Sequence, residues 1–415
     1  MKHLVKTALL ALAVCTMGRA QTVSDSVWTP AVKSVAFCRA GSPQEPPVLT
    51  LGSRQRLELA FDLLADTPPT LRYSIRHCNA AWQPDSLEAY DFMTGFPQGD
   101  ITQYDFSFTT LRPYIHFRHT LPEAYAEFTH SGNYLLTVHL DGEPDSVLLT
   151  RRFWVSEQAV ALGATVGRPH DGADIERRQA VDALVDPGTL ALNPRYLALV
   201  AQQNGRTDNQ RTLEFSGFDR QRLAFRNRSC NIFDGGNTFR FFDAANLRTP
   251  LYNIARIEQL GGEVYAILRP EEDRSRRQYI YEAALNGGMK INAWDRRNPT
   301  LEADYVWVNF SLPMAQPFLD GSVHIVGGLT DWKLDSASRM DYNPSLRAYT
   351  KRLLLKQGYY SYQLLFKPAG ATQGQTARLE GDHREAPNRY TLYLYQREPG
   401  DRADRLLAVS QVVAP

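Results

Sequence analysis

Apolar residues recur at every second position along much of this chain, and that period constrains its fold more than any other feature. Leu57, Leu59 and Phe61; Leu71, Tyr73 and Ile75; Tyr134, Leu136, Val138 and Leu140; Val306, Val308, Phe310 and Leu312; Tyr360, Tyr362, Leu364 and Phe366; and Tyr390, Leu392 and Leu394 all keep it. The spacing places these side chains on one face of an extended strand. Breaks rich in Pro, Gly and Asn separate the runs, and sustained helical periods are scarce. The pattern predicts an all-β chain of antiparallel sheets packed as sandwiches.

The N-terminus reads as an export signal. Lys2 and Lys6 are basic, Ala8 to Met17 is apolar, and Gly18-Arg19-Ala20 before Gln21 offers small residues for cleavage between Ala20 and Gln21. The apolar run is shorter than the roughly 20 residues that span a bilayer, so an exported protein without a membrane span is expected. Cys15 is a poor lipidation site, because Val14 stands where a small residue is required. Loss of Lys2, Lys6 and Arg19 leaves 43 basic residues against 45 acidic ones. That near-neutral balance argues against nucleic acid or an anionic membrane as the main partner.

Roughly 395 mature residues exceed what one core serves. The first sandwich is expected to close with Phe153-Trp154-Val155, giving domain one as 21–157 after the signal at 1–20. A Gly-, Pro- and charge-rich loop from Gly163 to Arg178 opens the middle region, 158–298. Within it the pairs Gly235-Gly236 and Gly261-Gly262 suggest hairpin turns. After Asn298-Pro299 the alternation sharpens into a last domain, 299–415. Three tandem immunoglobulin-like or early-set-like β-sandwiches are therefore expected.

Four phrases stand in the first region in order: Ile75-Arg76-His77-Cys78-Asn79-Ala80-Ala81-Trp82, Asp105-Phe106-Ser107-Phe108-Thr109-Thr110-Leu111, Ser131-Gly132-Asn133-Tyr134-Leu135-Leu136, and Leu149-Thr150-Arg151-Arg152-Phe153. Their order and spacing resemble the N-terminal domain of the type IX secretion system plug protein family of Bacteroidetes-type bacteria. Near the C-terminus, Val323-His324-Ile325-Val326-Gly327-Gly328-Leu329-Thr330-Asp331-Trp332 and Lys356-Gln357-Gly358-Tyr359-Tyr360-Ser361-Tyr362 resemble an early-set module of the glycogen-binding type. They match the C-terminal part of the plug family as well. The resemblance implies a periplasmic protein on the inner side of the outer membrane. Its partner would be a very large outer-membrane translocon barrel, which it seals at rest and leaves when cargo and a shuttle protein engage. That role is mechanical, with no cofactor.

The residues offer little chemistry. No Gly-x-Ser-x-Gly, Gly-Lys-Ser/Thr loop, Gly-x-Gly-x-x-Gly or His-Glu-x-x-His is present. His116 and His119 fall on opposite faces of a strand, so they read as polar surface or edge positions rather than metal ligands. Asp141-Gly142-Glu143 reads as a hairpin turn rather than a calcium loop. Glu271-Glu272, beside Arg274, Arg276 and Arg277, reads as solvated salt pairing rather than acid/base chemistry on sugars. Cys38, Cys78 and Cys230 remain after signal removal; buried thiols are the favoured reading, with Cys38–Cys78 the pairing to consider if a bridge forms.

Two surfaces are candidates for partners. The segment from Tyr90 to Thr102 looks too irregular for a strand, so Phe92, Met93 and Phe96 are expected as loop anchors for a protein interface. Trp332 is either a glycan platform or a packing residue of the early-set fold. A periplasmic or surface glycan-binding protein is the alternative to the plug.

Overall fold

The computed structural model describes residues 23–170 and 174–414. Among them the only helical segments are the single turns Ala89–Phe92 and Pro299–Glu302 and three short 3-10 turns; strands carry the fold. The cleavage site at Ala20 and Gln21 lies outside the described residues.

The first core sits between two sheets. One runs Val32–Arg39, Leu57–Leu63, Ile115–Leu121, Gln103–Phe106. The other runs Ser26–Val27, Glu143–Ser156, Gly132–Leu140, Leu71–Cys78, Gln98–Ile101, with Val48–Thr50 joining Glu143–Ser156 in parallel. Leu57, Leu59, Phe61, Phe117 and Leu121 face Tyr73, Tyr134, Leu136, Val138 and Phe153 across the gap, as their period of two requires. The Asp141-Gly142 pair makes the turn between Leu140 and Glu143, and Gly142 supplies the positive φ of 73°. The segment expected to be irregular contributes a strand: Gln98–Ile101 pairs with Leu71 to Ser74. The chain then crosses at Thr102 into the opposite sheet.

A second core lies between the sheet Ala161–Gly167, Arg178–Asp186, Arg222–Phe225, Gly217–Asp219 and the sheet Arg211–Leu213, Leu197–Gln203, Arg389–Gln396, Arg405–Val413. A third is wrapped by strands in the order Arg240–Asp243, Gly358–Pro368, Gly321–Val326, Arg339–Asn343, Ala348–Lys356, Tyr305–Pro313, Glu263–Leu268, Ile254–Leu260. The sheets therefore do not follow the expected cut at residue 298. The last two long strands complete the second core, and strands from 240 to 291 complete the third. Alternation identifies a strand but carries no information on a neighbour almost two hundred residues away, as with Leu197 opposite Gln396.

Of the two Gly pairs, Gly261-Gly262 forms the expected hairpin turn, with Leu260 opposite Glu263. Gly235-Gly236 does not. A Cβ on Gly235 would collide with the carbonyls of His383 and Arg177, so glycine there serves a close approach of backbones.

Candidate functional site

Residues of the distinctive phrases in the first sandwich line two seams, where that sandwich meets the other cores. On its outer face Cys78, Trp82, Leu135 and Trp154 pack against Val200, Tyr393, Tyr395 and Leu406, which stand on strands of the second core's sheet but outside that core. Trp154 stacks on Tyr393 with centroids 4.9 Å apart, and Trp82 meets Trp154 edge-on at 5.2 Å. The Arg152 guanidinium lies 4.7 Å above Trp82 and pairs with Asp25 at 3.1 Å. Aromatic burial on this scale dominates an interface, and the edge-on and offset arrangements add to it.

Polar groups of the same phrases complete this seam. The Tyr395 hydroxyl donates to Asn133 Oδ1 (2.8 Å), and Asn133 Nδ2 donates to the Asn79 carbonyl (2.9 Å). The Ala80 amide donates to Asp404 (2.6 Å). Ser131 accepts from the Leu406 amide (3.0 Å) and donates to Glu157 (2.7 Å), which Arg405 holds through two contacts of 2.9 and 2.7 Å. Burial would raise the Glu157 carboxyl, but Arg405 and Ser131 prevail and hold it below its usual range. His77 lies between Asp85 and the Ser131 carbonyl, and any Cβ on Gly132 would strike its ring. Burial, helped by Asp85, pushes the Cys78 thiol up to about 12, so it behaves as a small apolar side chain. Cys38 and Cys230 are half-buried thiols, and none of the three cysteines is bridged to another.

The second seam joins the first core to the third through a buried ion pair. Asp62 points away from its own core yet is fully buried, because the third core covers it. Lys356 Nζ reaches Asp62 Oδ2 at 2.6 Å and the Thr300 carbonyl at 2.7 Å, and lies 4.0 Å from the Tyr114 ring centroid. The Tyr305 hydroxyl bonds Asp62 at 2.6 Å and Ser34 at 2.7 Å, and His116 Nδ1 lies 2.6 Å from the other carboxylate oxygen. Burial lowers the Lys356 pKa, with the Asp62 charge working against that shift. Around the pair, the Leu111 amide donates to Asp304 (2.5 Å) and the Phe108 amide to the Leu301 carbonyl (3.1 Å). Arg151, from the phrase Leu149 to Phe153, pairs at 2.9 Å with Asp331 of the Thr-Asp-Trp turn.

Several expected surface residues are interior. His116 and His119 do face opposite ways, as strand geometry demands, but both are buried: His116 in the seam, His119 against the Tyr73 ring at 4.4 Å. Glu271 is not solvated either. It pairs with the buried Arg240 at 2.6 Å and bonds the Tyr362 hydroxyl, while Arg240 and Arg274 both grip the fully buried Glu380. Glu272, paired with Arg277, is exposed as expected. Among the described residues no group of three or more His, Cys, Asp or Glu side chains is placed to hold a metal ion, and no helix is long and apolar enough to cross a membrane.

The expected anchor triad divides. Phe92 and Met93 are 3% and 2% exposed and belong to the first core; only Phe96, at 81%, is on the surface. Ala89–Phe92 is one helical turn capped by reciprocal bonds between Glu88 and Asp91, and it rolls Phe92 inward. Trp332 is half-buried: its ring packs edge-on to Phe239 at 6.0 Å and closes over Gly287, where no side chain could fit.

The family model for the type 9 secretion system plug protein 1st domain matches residues 32–157, the span of the first sandwich from Val32–Arg39 to the end of Glu143–Ser156. A crystal structure of a hypothetical protein from Parabacteroides merdae ATCC 43184 superposes with a TM-score of 0.91, at 30% identity, over 94% of this chain and 99% of that one. A Pseudomonas fluorescens alkylpurine DNA glycosylase bound to DNA reaches a TM-score of only 0.16 at 16% identity, over 30% of this chain and 29% of its own, too low for any likeness of fold. No curated protein sequence matches. With the first sandwich matched by the family model and almost the whole chain sharing one fold with a 30% identical relative, the chain belongs to the type IX secretion system plug protein family.

Proposed function

We propose that this protein is the periplasmic plug of the type IX translocon, occluding the periplasm-facing mouth of its large outer-membrane barrel at rest. Membership of the family ties the chain to type IX secretion, and the match over residues 32–157 carries the reading. The seams support it physically. A plug must resist deformation, and three cores joined by an aromatic interface and a buried ion pair behave as one block rather than as hinged modules. Occlusion needs volume and a releasable surface, not catalysis, so the role is mechanical. Trp332, closed over Gly287 and Phe239, does not favour the glycan alternative. The test is copurification from detergent-solubilised envelope. The plug reading expects the protein to bring down an outer-membrane barrel of unusual size; its recovery alone, with retention on a polysaccharide affinity gel, would reject that reading.

A further inference from the structure

We infer that the edge strand Gln103–Phe106 is a docking edge, built to accept an extended segment of a partner by strand addition. The strand ends its four-stranded sheet and pairs on one side only, with Ile115–Leu121. The Ser107 amide donates to the Tyr114 carbonyl at 2.9 Å, which fixes the parity: Gln103, Asp105 and Ser107 turn their backbone groups toward the neighbouring strand, and Tyr104 and Phe106 turn theirs outward. Among the described residues, neither the N–H nor the C=O of Tyr104 or Phe106 has a partner.

Unpaired edges are a hazard, and proteins blunt them with Lys, Pro, bulges or cover. The free edge Ile254–Leu260 shows such devices, with Arg256 and Glu258 and a register break after Ile254. Ala161–Gly167 also ends a sheet, but it starts beside Arg405–Val413, whose Leu406 and Leu407 carbonyls bond Glu157 and Ala159 just before it. Gln103–Phe106 carries one charge, Asp105, which Arg118 of the neighbouring strand holds at 2.7 Å, and it has no Lys, no Pro and no break in register. It presents aromatic side chains instead. Tyr104 and Phe106 are 41% and 53% exposed and lie perpendicular at 5.8 Å, and Tyr104 sits 5.5 Å from the core residue Phe117. Phe108 and Leu111, exposed just beyond, extend the apolar surface. Aromatics seated on a rigid core are the residue types that anchor interfaces. Outward backbone groups beside them specify an extended partner.

A second copy of this chain is a poor occupant. The antiparallel register that uses both outward residues of each copy sets Tyr104 opposite Phe106 and Asp105 opposite its twin. Arg118 already holds each Asp105 from its own sheet at 2.7 Å, so the two carboxylates would face each other with no cation between them, and like charges directly opposite destabilise a pair. The partner segment therefore has apolar side chains to lie along Tyr104 and Phe106 and a neutral or basic residue opposite Asp105. On the plug reading, from which this inference takes its partner, that segment belongs to the translocon. Two outward residues offer few bonds, which suits a contact that must release.

The experiment places a photo-crosslinking amino acid at position 104 of the full chain, or at the exposed Tyr252 as control, in cells making the translocon. In parallel, Tyr104→Lys/Phe106→Lys and the milder Tyr104→Thr/Phe106→Thr are tested for copurification, with circular dichroism and thermal melts as fold checks. Crosslinks to the barrel from 104 but not 252, and at least a tenfold loss of copurification in a folded variant, are expected. Wild-type levels of barrel with either folded variant, or no crosslink from 104 while the wild type still copurifies, would overturn the docking edge and leave the plug reading standing. Failure of the wild type to copurify at all would overturn both.

Discussion

Replacing Lys356 with Met would keep the length of the side chain while removing its charge from the seam between the first and third cores. Three interactions go: the 2.6 Å ion pair with Asp62, the 2.7 Å bond to the Thr300 carbonyl, and the contact with the Tyr114 ring at 4.0 Å. Asp62 is left buried with a charge that only the 2.6 Å contacts from Tyr305 and His116 offset. Breaking a buried pair by deleting one partner costs about 3–5 kcal/mol, and because two donors remain on Asp62 we expect the lower end, about 3 kcal/mol. That is over a hundredfold in the folding equilibrium, at roughly 1.4 kcal/mol per tenfold. Asp62→Asn should cost a similar amount, by stranding the ammonium. The double variant should cost at least about 1.5 kcal/mol less than the sum, since contacting groups couple. Urea denaturation followed by tryptophan fluorescence measures all four corners, with the slope checked for constancy. A Lys356→Met variant within about 1 kcal/mol of the wild type at unchanged slope would refute the seam as a stabilising lock.

The apolar seam predicts that Trp154→Ala costs about 3–5 kcal/mol by calorimetry or urea titration, whereas a loss below about 1 kcal/mol would mean the first and second cores are not joined as described. Phe92→Ala should cost about 3–5 kcal/mol and Phe96→Ala within about 0.5 kcal/mol, by the same assay, because one is core and the other surface; equal costs would contradict this. Burial drops His324 to about 4, with Lys367 adding to the shift, and burial also lowers His119, His130 and His383. His324 therefore stays neutral in the fold above about pH 4 and takes up a proton on unfolding, and the other three shift in the same direction, so stability should rise with pH from about 4 to 6.5. His324→Gln should flatten that rise by close to one proton, and an unchanged slope would show that His324 does not titrate on unfolding. Cys78, raised to about 12, should resist thiol reagents at pH 8 until the protein unfolds, as mass spectrometry of alkylated peptides would show.

The alternation of Leu57, Leu59 and Phe61, or of Tyr390, Leu392 and Leu394, was enough to fix strands and their buried faces, because a two-residue period is a local property. Which strands pair was not local. Arg389–Gln396 and Arg405–Val413 join the second core rather than the third, a fact written in no neighbouring residue. The seams were hidden for the same reason. His116 read as a polar surface or edge position, and only the third core, with Lys356 paired to Asp62 from far along the chain, makes that side of the sheet interior. Phe92 and Met93 were misplaced because a single capped turn, too short for any period, redirects both into the core. One signal was available: the polar residues His77, Asn79, Ser131, Asn133 and Arg151 stand in or beside strands with otherwise apolar faces, and such residues need partners once buried.

Outer-membrane permeability in a strain lacking this protein tests the central claim most directly. A body that blocks the translocon passively should, when deleted, leave an open pore. Uptake of large antibiotics or of a fluorescent dye normally excluded should rise, cargo secretion should continue at least in part, and the wild-type gene should restore the barrier. A deletion strain as impermeable as its parent, with the translocon present, would contradict the account.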